Sequence, residues 1–140
     1  MVSLEDIRPR YPDAVTFKFG DSEAMSAALL ALVKAGRKTA TCGAAAFYDT
    51  APGALPMVGR RDIALNWDGT PAVAIETMRV YRCRFRDVGE DFALAEGEND
   101  DLAGWRRDHQ AYFERNEGFS PDMMLVCEMF RVVEIFNDPA

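Results

Sequence analysis

Long apolar runs are missing from this sequence, and nothing in it approaches the ~20 consecutive apolar residues that a membrane-spanning helix needs. The opening stretch, MVSLEDIRPR, is charged and lacks the apolar middle of a signal peptide, so a cytoplasmic protein is expected. Cysteine is scarce and unpaired in pattern. Cys42, Cys83 and Cys127 are odd in number, far apart and form no Cys-x-x-Cys, which argues against both a zinc site and a disulfide framework. In apolar, strand-like surroundings they are expected to be small core residues. No metal or cofactor is expected, and His109 is the only histidine. An excess of positive charge is also lacking: 16 Lys and Arg face 23 Asp and Glu, for a net charge of −7. Proteins that coat phosphate backbones carry basic surfaces. Any nucleic-acid role here must rest on a local basic cleft, with Arg37 and Lys38, Arg60 and Arg61, or Arg79, Arg82, Arg84 and Arg86 as candidates.

What remains is an ordinary globular composition, 49% hydrophobic and 28% charged, in 140 residues without repeats or linkers. That length suits one domain with one substantial core. The first fourteen residues hold two prolines and little periodicity, and are expected to form a weakly structured strap. AVTFKFG alternates Val15, Phe17 and Phe19 as a short strand. DSEAMSAALLALVKAG predicts a helix capped by Asp21 or Ser22, with Met25, Leu29, Leu32 and Val33 on one face. Gly36 suits the left-handed position that ends it. Residues Thr39 to Phe47 predict a strand, DTAPGALPMVG a loop, and RDIALNW a strand turning through DGTP into a long, bent strand or pair of strands over Ala72 to Arg86. A short helix after Asp87, a second long helix carrying Leu102, Trp105, His109, Tyr112 and Phe113 on one face, and a final strand at MMLVCEMFRVVEIF complete the chain. Strands outnumber helices and most are joined by short turns, which predicts an α+β domain: a small, mostly antiparallel barrel with two or three packed helices.

The segments GRKTAT, LPMVGRRDIAL, AVAIETMRV, FALAEGENDDLAGWRRDHQAYF and FSPDMMLVCEMFRVV together resemble the ASCH domain, collinearly from about Phe17 to Phe136. The resemblance covers nearly the whole chain and treats residues 1–140 as a single such domain. It implies a PUA-like β-barrel with a cleft between barrel and first helix, an association with RNA, and kinship with small bacterial hydrolases. One type of these cleaves RNA; another removes the acyl group from N(4)-acetylcytidine with a Lys, a Thr three residues later and a strand Glu. Those positions match Lys38, Thr41 and, best among the strand glutamates, Glu76. The wider family motif continues with Glu and Arg after the Lys, where this chain has small residues.

A threonine hydroxyl is a poor nucleophile until a neighbouring base takes its proton, and Lys38 could be that base if burial lowers its pKa from about 10.4 toward neutrality. The plain alternative is a solvated lysine at a helix end and a threonine in a strand. Glu76 lies in an apolar strand and needs either Lys38 or solvent. His109 on an apolar stripe is expected to be a hydrogen-bonded core residue. Glu96, Glu98, Asp100 and Asp101 could bind a divalent cation, but helix capping explains them more simply. Arg37 and Arg79 are expected to lend positive charge to the cleft, and Ser120 to contact ligand. The expected function is an RNA-associated hydrolase acting on RNA or a modified nucleoside; the competing one is a non-catalytic module that grips RNA or a nucleotide in the same cleft.

Overall fold

The computed structural model describes residues 1–139. Five strands form one mixed sheet: β1 (Thr16–Phe17), β2 (Ala40–Ala44), β3 (Arg61–Leu65), β4 (Pro71–Arg84) and β5 (Met124–Ile135). Their order in the sheet is β1-β3-β4-β5-β2. Only the β1–β3 pair is parallel; the other three pairs are antiparallel. The expected barrel does not close. β1 and β2 are the two edges of the sheet, and no ladder joins them. One cavity nevertheless touches both edges, so the sheet curls until its open seam becomes a cleft.

Among the described residues five α-helices accompany the sheet, rather than two or three: α1 (Leu4–Ile7), α2 (Glu23–Lys34), α3 (Ala45–Thr50), α4 (Glu90–Ala95) and α5 (Leu102–Asn116). The Pro-rich start is not a loose strap. Ser3 and Asp6 close a capping box on α1, and Ile7, Tyr11 and Ala14 bury against Ile63 and Ala74 of the sheet. The alanine run after Gly43 turns into α3 instead of extending the strand. Alanine is the best helix former, and strand pairing with β5 ends at Ala44.

α2 begins where Ser22 accepts a hydrogen bond from the Met25 amide. It ends in a Schellman turn: Gly36, at φ +77°, donates to Val33 O, and Arg37 donates to Leu32 O. Leu30 and Val33 of α2 pack on Phe19, Val73, Ile75 and Phe130. α4 and α5 cover the far half of the sheet, where Trp105, fully buried, meets Phe85 at 5.2 Å between ring centroids. The long strand is one element, interrupted by register shifts at Ala74/Ile75 and Thr77/Arg79. Among the described residues no helix is long and apolar enough to cross a membrane.

Candidate functional site

Lys38 follows the Schellman turn and enters β2 with its side chain only 1% exposed. A buried ammonium is costly unless every proton finds an acceptor. Here Nζ donates to Ala40 O at 2.8 Å, Glu96 Oε1 at 2.9 Å and Glu98 Oε2 at 2.7 Å. Burial alone would push the lysine pKa down; the Glu96 and then the Glu98 charge outweigh it and hold Lys38 above its ordinary value. Lys38 is therefore an ammonium at neutral pH. The desolvated general base expected from the sequence is not what the fold builds.

Glu96 is the centre of a second layer. Its Oε2 accepts from Trp105 Nε1 at 2.7 Å and from Cys42 Sγ at 3.4 Å, and lies 3.1 Å from His109 Nε2. The other ring nitrogen, Nδ1, sits 2.9 Å from Trp105 O. A carboxylate and a carbonyl can only accept, so both ring nitrogens carry protons and His109 is an imidazolium. Burial opposes that charge, and the bond to Glu96 outweighs burial, raising His109 above the ordinary histidine value. The ring also stacks on the Trp105 indole, 4.3 Å between centroids. Lys38 and His109 together hold Glu96 far below the usual carboxylate range despite complete burial.

The loop that delivers both glutamates depends on Gly97. At φ +75°, a Cβ there would lie 2.3 Å from Arg37 O, so only glycine lets the Glu96–Glu98 loop lie on the Arg37–Lys38 backbone. Thr39 N donates to Ala95 O at 2.8 Å and fastens β2 to the end of α4. Cys42, Glu96 and His109 place three metal-type donor atoms within 4.8 Å of one another. The Glu96 carboxylate among them already pairs with two cations, so an added dication would meet Lys38 and His109 rather than free donors.

This cluster forms one wall of a cavity of ≈ 630 Å³ between the sheet edges and α5. Thr41 and Lys38 both line it, as expected. Glu76 does not; its carboxylate binds Arg61 at 3.0 Å and Arg131 at 3.3 Å. Those guanidiniums pull Glu76 below its ordinary value. Arg37, Arg79 and Ser120 are also absent from the cavity wall: Arg37 is exposed beyond α2, Arg79 covers the Tyr81 ring at 4.7 Å, and Ser120 Oγ accepts from Asp122 N within its turn. The fold supplies Glu96, Glu98, Asp62 and Glu128 instead. Among the suspected acids Asp101 caps the start of α5 with its side chain, accepting from Gly104 N at 2.8 Å. The expected basic surround is thus reversed. Asp62, Glu96, Glu98, Asp108, Glu117 and Glu128 line the cavity against Lys18, Lys38, Arg115 and His109. Phe17, Phe19, Tyr48 and Tyr112 supply its aromatic surface.

A family model described as "ASCH domain" matches residues 15–134. The crystal structure of an ASCH domain from Lactobacillus crispatus JV V101 is similar at a TM-score of 0.77 and 34% identity, over 94% of this chain and 86% of that one. A crystal structure of a protein from Enterococcus faecalis V583 is similar at a TM-score of 0.77 and 36% identity, over 88% of this chain and 82% of that one. No curated protein matches the sequence. Matched over most of its length in sequence and in fold, the chain belongs to the ASCH domain family, which is generally linked to RNA binding.

Proposed function

We propose that this domain is a hydrolase for a small, uncharged, acylated nucleoside, with Thr41 as the attacking hydroxyl and Lys38 as the fixed positive charge beside it. The carboxylate partner of Lys38 in this proposal is Glu98, at 2.7 Å, in place of Glu76. The observation that carries the reading is the composition of the wall: a buried ammonium and a threonine open onto a cavity otherwise rich in acids and aromatics. Its volume falls in the range of about 300–1,000 Å³ typical of small-molecule sites. Aromatic side chains there can take a base by stacking. Acidic walls oppose a phosphate chain and leave a neutral nucleoside unopposed. Resemblance to the deacylating members of the family, through Lys38 and Thr41, supports an amide or ester carbonyl as the reacting group.

In such a reaction Lys38 cannot act first as a base, because its proton is held by two carboxylates. It serves a developing oxyanion electrostatically, already oriented before substrate arrives. The test is to give the purified protein N(4)-acetylcytidine and a short RNA side by side. Release of acetate and cytidine, with the RNA neither cut nor retained, is the expected result. RNA retained without turnover of either compound would replace this proposal with the binding module.

A further inference from the structure

The proposed acyl transfer needs a group to accept the threonine proton, and Lys38 does not supply it. Phe130 N donates to Thr39 O at 3.0 Å, which marks Thr39 and Phe130 as a hydrogen-bonded pair of the antiparallel β2–β5 ladder. Such pairs recur every second residue, so Thr41 and Glu128, directly opposite in register, are another. Their Cα atoms then lie about 5.5 Å apart with both side chains on one face of the sheet. Both residues line the cavity.

Of the other carboxylates lining the cavity, Glu117 is exposed just past the end of α5, Asp108 is bound by Asn99 and Arg107, and the rest are committed too. Glu96 is shared among Lys38, Trp105 and His109; Glu98 binds Lys38; Asp62 binds Arg60 through both oxygens, at 2.8 and 3.1 Å. Glu128 is different. It is 9% exposed, and its one hydrogen bond among the described residues is from the neutral Thr77 hydroxyl to Oε2 at 2.6 Å. No cation pairs with it. The Thr41 hydroxyl likewise makes no hydrogen bond to any described residue.

Resting on the acyl-transfer reading above, we propose that Glu128 is the general base that takes the Thr41 proton. As Thr41 Oγ1 bonds to the carbonyl carbon, its proton passes to the Glu128 carboxylate. The carbon–nitrogen bond then breaks, Glu128 returns the proton to the departing nitrogen, and the acyl group remains on Thr41 as an ester. Water attacks that ester and gives one proton to Glu128. The threonine oxygen leaves and takes the proton back, releasing the carboxylic acid and restoring both residues. Burial, first, and Asp62 on β3 raise the pKa of Glu128, while the Thr77 hydroxyl on β4, Arg60 beside β3 and Lys38 beside β2 lower it. Burial, and then the Glu128 charge, push the Tyr48 hydroxyl of α3 up to about 12, so it stays neutral. The net shift is upward, which makes this carboxylate more basic than an ordinary glutamate.

The test uses p-nitrophenyl acetate as acyl donor, with the label located by peptide mass spectrometry and its rate followed against pH. Wild type is expected to acquire acetyl on Thr41, with an acid limb set by one ionisation. Glu128→Gln keeps an oxygen for Thr77 and removes a buried charge, so it is expected to fold while losing about 10²–10⁴-fold in rate and the limb with it. Thr77→Val removes a bond that favours the ionised carboxylate, so the limb should move to higher pH. If wild type takes no acetyl on Thr41, the acyl-transfer reading falls and this proposal with it. If wild type is labelled but Glu128→Gln is labelled equally fast, or slowly with an unchanged limb, or if the limb ignores Thr77→Val, only the role of Glu128 is overturned.

Discussion

Lys38→Met tests whether the buried cation is as tightly woven into the fold as its contacts imply. The substitution keeps an unbranched side chain of similar length and removes one charge. Glu96 and Glu98 would then face each other across the space that the ammonium filled, with His109 as the remaining cation. Breaking a buried ion pair by removing one member costs about 3–5 kcal/mol. Domains of this kind are stable by about 5–15 kcal/mol, so the loss would be a large fraction of the whole. At roughly 2.1 cal/mol/K per residue, a 140-residue chain unfolds with an entropy near ~0.3 kcal/mol/K, and the loss corresponds to about 10–17 °C in Tm. Urea unfolding followed by fluorescence, which reports the fully buried Trp105, measures it directly. Adding Glu96→Gln should recover part of the loss, because the second carboxylate then lacks a rival; contacting residues couple by about 0.5–3 kcal/mol in such cycles. A Lys38→Met protein weakened by less than about 1 kcal/mol, or a double variant whose losses simply add, would refute the network as described. Loss of activity in Lys38→Ala alone would therefore say little about catalysis, since the residue is part of the core.

Gly97→Ala is expected to destabilise through about 1–2 kcal/mol of left-handed strain, with a further loss from collision with Arg37 O, and urea unfolding should show it although no charge has changed. Stability should also fall as pH rises above about 6.5. His109 has a raised pKa in the folded state, so its contribution is complete below about 6.5 and disappears as pH rises through the higher folded value. That slope should vanish in His109→Gln, and its persistence there would assign it to another group. At the site, Thr41→Ser is expected to retain measurable turnover and Thr41→Val none, while Glu76→Ala should leave turnover unchanged because its partners are Arg61 and Arg131. Deacylation assays decide all three.

Local signals in the sequence carried a good part of the structure. Ser22 and Gly36 mark the ends of α2 because caps and left-handed stops act on the residues beside them. The Trp105, His109 and Phe113 stripe is a matter of helical period, and His109 is hydrogen-bonded in the core as expected. Lys38 and Thr41 reach the cavity because the helix end fixes where the strand begins. The partner of Lys38 was not legible in the same way. Glu96 and Glu98 lie 58 and 60 residues further along, and acids before a helix have a sufficient local explanation in capping. The signal that could have found them is the Gly between the two glutamates, a spacing that permits close backbone approach. Glu76 and Glu128 both interrupt apolar strands, and the pairing of Thr77 with Phe130 puts Glu128, two residues from Phe130, on the face opposite to Glu76, a pairing that only the assembled sheet defines. Barrel closure failed for a related reason: the number of strands is visible in sequence, but whether the edges pair is a property of the assembled sheet.

The charges of the site bear on why a member of an RNA-linked family would have an acidic cavity. Lys38 and His109 balance Glu96 and Glu98, so the innermost cluster is formally neutral. The acidity comes from the rest of the wall, where Asp62, Asp108, Glu117 and Glu128 outnumber Lys18 and Arg115. A phosphodiester brings its negative charge in the ground state and must carry it past that wall before any bond changes. An amide brings none. Its negative charge appears only when the carbonyl is attacked, at a point where the ammonium of Lys38 is already fixed and nearly dry. Such a site discriminates between the two by when the charge arises, favouring the transition state of acyl transfer without first favouring an anionic ligand. Added salt is therefore expected to have little effect on turnover of a neutral nucleoside, because no ion pair must form for it to bind. A steep loss of turnover between low and physiological ionic strength would show that an anionic group is being recognised after all.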